Sequence, residues 1–498
     1  MATNGHASIP PRLTQESSLS LDEFKQICSR SIDTSTYPLA YTVEQSVPIY
    51  DIAALEATPL TAETISHLQD EWHHILHTGP GVFVLRGMYA RAKYGPVLSA
   101  TNNAFDRIIA RERTSPSSSK GDHFAASGTN DRIWNSFSKH ALEDPPSFTA
   151  YYANPWLATV CTAWLGPGYR ITAQVNAVHP GGAAQEAHRD YHLGFMDADA
   201  CAGFPAATQA SSQFLTLQGA VAHSDMPLAT GPTRFLPFSQ TYAPGYMAWR
   251  RPEFRTFFQE NYVALPLALG DGVFFSPALF HAAGANVMDA SPGAGRFRRV
   301  ANLLQISSAF GKAMESVDTI PLVERCWDFL AARFEGAKRQ IADSGLDPCW
   351  SAEAREVRAL VQALGEGYPF PTNLDRRPPV EGKMAPECEQ DVLVRGLEGG
   401  WGRGEVVGAL ERMRFESRAC PIRVGSRLVE HTTIDSGVHC AGMHLTVQCS
   451  FAPLALLDPL ESQVHCRSSI VIGLSSWDAQ WRRVDLHFHG IGLGGGEK

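Results

Sequence analysis

A mainly β fold with flanking helices, of the α+β class, is what this sequence predicts, and three stretches predict it. ITAQVNAVHP at 171–180 alternates like a strand and runs into His-Arg-Asp at 188–190. ALPLALGDGVFFSPALFH at 264–281 reads as an apolar run, a Gly-Asp-Gly turn, and a strand at Val273-Phe274-Phe275 leading to His281. RFRRVANLLQI at 296–306 reads as a buried strand entered through a basic cluster. Strands so far apart in sequence meet in a barrel of antiparallel strands.

The elements follow in chain order. Residues 1–48 are polar and read as a loose arm. A helix starts with Thr61 as N-cap and puts Ile65, Leu68, Trp72 and Ile75 on one face. His73 and His77 lie on it at i, i+4 spacing beside His74, but no third ligand accompanies them, so they read as a solvated face. GVFVLRG at 81–87 is a strand, and the stretch around Phe105, Ile108 and Ile109 is an amphipathic helix. Residues 113–125, TSPSSSKGDHFAA, form a Ser-rich loop, either a lid or a plain surface loop. On the strand at 171–180, Gln174 and Asn176 share a face that looks either into the barrel, onto co-substrate or substrate, or to solvent.

Two further helices carry Val323, Trp327, Leu330 and Phe334, then Val357, Leu360, Val361 and Leu364, closed by Gly365. A Pro-rich strap follows at 368–387. The expected division is an arm at 1–48, a catalytic domain at 49–320, helices and strap at 321–387, and a tail at 388–498 with a helix and then short β segments. That tail holds His431, His439, Cys440, His444, Cys449, His465, Cys466, His487 and His489 in spacings that match no zinc pattern.

Composition narrows the class. The chain has 498 residues, 44% hydrophobic and 19% charged, which suits a large globular core. A net charge of −9 offers no basic field for nucleic acid or an anionic membrane. Ten cysteines without a CxxC pair read as reduced thiols. The N-terminus lacks a hydrophobic signal core, no apolar run is long enough to span a bilayer, and the Gly-Glu-Lys end is not a peroxisomal address. The cytoplasm is the expected compartment.

The chemistry concentrates in four residues. Positions i and i+2 of a strand face one way, so His188 and Asp190 can grip one metal from one side. His281, 281 − 188 = 93 positions on, supplies a second imidazole. Two imidazoles and a carboxylate are the facial triad of non-haem Fe(II) oxygenases, with positions left open for a co-substrate and O2. Arginines at a buried strand need an anionic partner. A planar guanidinium fork matches the distal carboxylate of 2-oxoglutarate, and Arg298 is the residue expected to hold it. His179, His192 and His223 lack the strand pairing with a carboxylate that His188 has, and Asp197 and Asp199 read as loop residues.

These stretches resemble the phytanoyl-CoA dioxygenase-like Fe(II)/2-oxoglutarate oxygenases. The resemblance lies in QEAHRDYHLGF at 185–195, ATGPTRFLPFSQ at 229–240, LGDGVFFSPALFHAAGAN at 269–286 and FRRVANLLQIS at 297–307. It implies a double-stranded β-helix, a jelly-roll and cupin-like barrel with the metal near its mouth, and it matches Arg298 to the co-substrate arginine. The chain departs from the family pattern at Phe238 and Gln240, where glycine and histidine are usual. The segment DASPGAG at 289–295 lengthens the gap to Arg298, which leaves Arg296 or Arg299 as substitutes. Asp190 is intact, which argues against a halogenase.

The expected activity is hydroxylation of a small, partly apolar molecule, an acyl or secondary-metabolite type, with release of succinate and CO2. Ascorbate should help in vitro. Desaturation or ring formation would use the same parts. Tyr191, Phe195, Trp134 and Phe238 are the expected pocket aromatics, and no dedicated basic site for a CoA diphosphate is visible. The rival readings are a non-catalytic jelly-roll binding protein and a cupin-type isomerase or hydrolase using zinc. The sequence fixes neither substrate nor oligomeric state.

Overall fold

The computed structural model of this chain describes residues 9, 11–14, 16–114, 130–288, 297–344 and 351–418, with 341–344 described in backbone only. The Ser-rich loop from 115, the segment containing Arg296, and the His- and Cys-containing tail from 419 lie outside these residues.

Ten strands occur among the described residues: β1 (Thr42–Glu44), β2 (Val47–Asp51), β3 (Val82–Arg86), β4 (Asn130–Ile133), β5 (Arg170–Val178), β6 (Thr216–Ala222), β7 (Thr233–Phe235), β8 (Gly272–Phe275), β9 (His281–Ala283) and β10 (Arg299–Ser307). Eight form one sheet in the order β1-β2-β3-β8-β6-β10-β5-β4. Every pairing in it is antiparallel except β2 with β3. β7 and β9 form a separate antiparallel ladder, extended by single bridges from His281 to His188 and from Phe235 to Val263. The fold is therefore mixed α+β with a large, mostly antiparallel sheet. The closed barrel expected from the sequence is not formed: the sheet is open, with β1 and β4 at its edges. The second layer is too short to close it, since β7 and β9 have three residues each.

Strand alternation sorts side chains to the two faces of the large sheet. On β10, Val300, Asn302, Leu304 and Ile306 face one way and Arg299, Ala301, Leu303 and Gln305 the other. Registers align Gln305 with Gln218 of β6, Leu303 with Gln174 of β5, and Ala301 with Asn176 of β5. Behind the first face lies the main core, where Leu304 and Ile306 pack with Leu217, Trp156 and Trp327.

The helix Ala62–His77 starts as expected, with the Thr61 hydroxyl accepting from the Thr64 N–H, and it buries Ile65, Leu68, Trp72 and Ile75. The stripe from Val323 lies on the helix Thr319–Ser344, and the next helix, Ala352–Leu364, ends at Gly365. Two more helices, Glu389–Glu398 and Arg403–Ser417, follow the strap. Residues 16–48 are less loose than their polarity suggests. Ser20 caps a helix over Leu21–Cys28 whose one buried side chain, Phe24, sits among Tyr242, Phe254, Phe257 and Phe280. No helix among the described residues is long and apolar enough to cross a membrane.

Candidate metal centre

His188 and His281 meet across the edge of the small layer. Each backbone N–H donates to the other's carbonyl, at 3.0 and 3.1 Å, and the rings lie 4.5 Å apart. The Gly-Asp-Gly turn helps set this register. Asp271 accepts from the N–H groups of Gly87 and Ala268, and so anchors β8, which leads through a short turn to His281. In His-Arg-Asp, alternation sends the middle residue the other way. Arg189 is buried behind the site, donating to the carbonyls of Ser239 and Tyr242, with its guanidinium facing the Tyr246 and Phe280 rings. A glycine is required at 245, where a Cβ would fall 1.9 Å from the Arg189 guanidinium carbon.

Both imidazoles are held in the same way. His188 Nδ1 donates to the Glu186 carbonyl and His281 Nδ1 to the Leu279 carbonyl, each at 2.8 Å. Both Nε2 atoms are thereby turned toward Asp190, at 3.8 Å from Oδ1 for His188 and 3.6 Å from Oδ2 for His281. The three ligand atoms lie within 4.8 Å of one another, and no other such group of His, Cys, Asp or Glu occurs among the described residues. Burial alone would push the Asp190 carboxyl up. The adjacent His188 and His281 and the Gln218 amide outweigh it and hold Asp190 down to about 2. The carboxylate is a charged, ready ligand at neutral pH.

The triad opens into a cavity of about 820 Å³ between the large sheet and the small layer. Gln174 and Asn176 line it, so the face left open by the sequence is the interior one. Arg298 does not line it. Its guanidinium turns to the protein exterior and pairs with Asp106 at 2.8 Å. Arg299, the first residue of β10, takes the interior position, and its NH1 donates to the carbonyls of Thr230 and Gly284, each at 3.1 Å. Those carbonyls belong to two segments of the chain in close approach. Gly231 sits at φ +73, and a Cβ there would meet the Ala285 oxygen at 2.3 Å. Burial lowers Arg299 to about 10, and no carboxylate pairs with it among the described residues.

Of the expected pocket aromatics, only Phe195 lines the cavity. Tyr191 is buried against His192. Trp134 stacks under Arg132. Phe238 is buried at φ 68, a left-handed position that explains why the family favours glycine there, and its ring lies under Arg30. Gln240 donates to the Gly79 carbonyl. His223, another candidate, is enclosed elsewhere by Tyr151 and Asn102, while His179 pairs with Asp131. One residue of the site escaped the sequence reading: Gln218 looks like any strand polar residue until the register of β6 is known. Arg299, open from the sequence as a substitute for Arg298, differs from it only in parity.

Residues 80–292, which contain all three ligands, match the family model for phytanoyl-CoA dioxygenase. Over that stretch the chain is similar to the phytanoyl-CoA dioxygenase family. Among solved structures, the α-ketoglutarate-dependent epimerase SnoN from nogalamycin biosynthesis is 18% identical, with a TM-score of 0.34, covering 49% of this chain and 84% of its own. The carbocyclase SnoK from the same biosynthesis is 17% identical, with a TM-score of 0.35, covering 51% of this chain and 87% of its own. EctD from S. alaskensis, in a structure with 2-oxoglutarate and 5-hydroxyectoine, is 14% identical, with a TM-score of 0.34, covering 51% of this chain and 79% of its own. No curated protein matches the chain. The matched stretch ends at residue 292, before β10, which carries Arg299 and lies between β5 and β6 of the large sheet.

Proposed function

We propose that this chain is a non-haem Fe(II)- and 2-oxoglutarate-dependent oxygenase acting on a small, partly apolar organic molecule. The observation that carries the reading is the meeting, in one cavity, of a two-histidine, one-carboxylate donor set and a buried guanidinium that pairs with no carboxylate among the described residues. The donor chemistry fits a ferrous ion: two imidazole nitrogens and one carboxylate converge, and no thiolate is among them. His188, Asp190 and His281 would hold the ion. Arg299, in place of Arg298, would pair with the distal carboxylate of 2-oxoglutarate, its NH2 and Nε atoms remaining after NH1 has met its two carbonyls.

When bound, the ion and 2-oxoglutarate supply the oxidising chemistry, with O2 consumed, succinate and CO2 released and a substrate C–H oxidised. The protein's own part is to bind, orient and exclude water. The carbonyls of Glu186 and Leu279 fix the tautomers that present both Nε2 atoms. Phe275, 4.8 Å from the His281 ring, and Val273 on the same strand keep the cavity floor apolar. Gln174 and Asn176 offer carboxamides, and Phe195, Met196 and Met314 an apolar surface, to a substrate with both kinds of group. We read the two layers as an open form of the double-stranded β-helix.

A zinc isomerase or hydrolase could use the same three ligands, but it would leave Arg299 without an anion. Metal analysis and oxygen uptake with and without 2-oxoglutarate test the proposal. Fe(II)-dependent uptake that rises with 2-oxoglutarate and vanishes in Asp190→Ala is expected. Turnover by a metal-free preparation, or indifference to 2-oxoglutarate, would sink it.

A further inference from the structure

We propose that Gln218 is a positioning residue for the metal: its side-chain amide fixes the orientation of the Asp190 carboxylate and so sets the affinity of the centre. The inference rests on the metal site proposed above and adds a residue outside its ligand set.

Gln218 lies on β6, buried, on the face that lines the cavity. Its Nε2 is 2.6 Å from Asp190 Oδ2. Chemistry dictates the orientation of this amide. Its oxygen against a carboxylate would set two acceptors together, whereas its N–H₂ donates. The Gln218 Oε1 has no partner, so the bond to Asp190 is what holds the side chain. Hydrogen bonds to a charged acceptor are about twice as strong as neutral ones.

The backbone supports the same point from two sides. The Asp190 N–H donates to the Pro277 carbonyl and its carbonyl accepts from the Tyr246 hydroxyl, so the main chain is fixed before the side chain is considered. What remains free is rotation of the carboxylate about its own axis. No side-chain amide or hydroxyl other than that of Gln218 donates to it among the described residues. The sheet places the donor rigidly: Gln218 sits opposite Phe275 of β8 and Gln305 of β10. Phe275 in turn packs on the His281 ring. One rung of the sheet therefore supports two of the three ligands, the carboxylate through an amide and an imidazole through a ring contact.

Gln305 supplies the control. It occupies the neighbouring position in the same rung, is buried, lines the same cavity and also has an unpartnered amide oxygen, but among the described residues its side chain makes no hydrogen bond to His188, Asp190 or His281. The test is titration of the full-length protein with Co(II) under anaerobic conditions, followed by calorimetry and by the visible spectrum of the bound ion. Gln218→Met keeps the volume and removes the donor. It is expected to weaken Co(II) binding by about 10–100-fold and to shift the visible bands, while Gln305→Met leaves both unchanged. Gln218→Asn keeps the amide but withdraws it by one methylene, and it should also weaken binding and shift the bands. It provides the reading should the Met variant fold poorly. Wild-type affinity and spectrum in both Gln218 variants, or an equal loss in Gln305→Met, would overturn the proposal. If the wild type binds Co(II) and Gln218→Met does not, yet oxygen uptake ignores 2-oxoglutarate, Gln218 keeps its role and the co-substrate reading fails. A wild-type chain that takes up no Co(II) overturns both.

Discussion

The two faces of β10 treat polar side chains in opposite ways. On the core face, Asn302 donates to the hydroxyls of Tyr151 and Tyr152, Tyr151 meets His223 Nε2, and Asn102 takes the other nitrogen of that ring. His140 bonds Ser147 within the same aromatic cluster, leaving only its Nδ1 without a partner. On the cavity face, among the described residues, the amide oxygens of Gln218, Asn176 and Gln305 have no partner, two imidazole nitrogens point at a carboxylate, and Arg299 meets no anion. Burial is similar on both sides. The difference lies in whether the protein completes its own hydrogen bonds or leaves them for something else, and that separates a core histidine from a metal ligand.

The strongest way to break this comparison is to exchange the roles of the histidines. His281→Ala removes a ligand that nothing nearby replaces, so metal binding should be lost outright, as measured by Fe(II) content after anaerobic desalting. His223→Phe removes an equally buried ring but should leave the iron content at the wild-type level, although the protein will be less stable. Iron retained in His281→Ala, or lost in a folded His223→Phe, would mean that unspent nitrogens are not the distinguishing feature.

Next in size is the arginine pair. Arg299→Leu takes away the cavity's buried cation. Loss of a charge-assisted pair in such a setting is worth about 2–5 kcal/mol, so 2-oxoglutarate affinity should fall by at least roughly 30-fold while metal binding stays. Calorimetric titration of the metal-loaded protein with 2-oxoglutarate reads this directly. An unchanged affinity would remove Arg299 from the site.

The core-face histidines give a pH dependence. Burial, with only a weak opposing pull from Asp144, lowers His140 from 6.5 to about 3, so the folded protein holds it neutral. The unfolded chain takes up its proton near 6.5. Between those values the unfolded state binds more protons, and stability contributed by this site is full above 6.5 and falls as the pH drops towards 3. His140→Phe, in a pocket made by Phe105, Phe148 and Tyr152, removes this dependence. Urea midpoints at pH 7 and pH 5 should therefore fall less in the variant than in the wild type. Parallel curves would show that His140 is protonated in the fold.

How much of this was legible in the sequence depends on the kind of signal. His188 and Asp190 could be read because a period of two is local, and the helix at 62–77 because its cap and stripe are local. The open sheet was not legible, since closure depends on how far β7 and β9 extend, and three-residue ladders leave no periodic trace. Gln218 was invisible for a related reason: its partner is 28 residues away and is reached only through strand register. The N-terminal residues misled through composition, because one phenylalanine in a polar stretch is enough to dock a helix.

Arg298 and Arg299 show the limit most sharply, because adjacent residues on a strand face opposite sides and a slip of one position exchanges their roles. Three arginines within four residues gave the sequence no means of choosing the parity, and the lengthened gap before them removed the family spacing as a guide. The structure settles the direction of each side chain, and the remaining consequence is the smallest effect predicted here. Arg298 is partly exposed and its partner Asp106 more so. Such pairs contribute about 0–1 kcal/mol and weaken with salt. Arg298→Leu should shift the urea midpoint only slightly, by less at high salt than at low salt, and leave 2-oxoglutarate affinity unchanged. A large loss of co-substrate affinity in Arg298→Leu, with Arg299→Leu silent, would reverse the parity of β10 and with it the division between a self-satisfied face and an unsatisfied one.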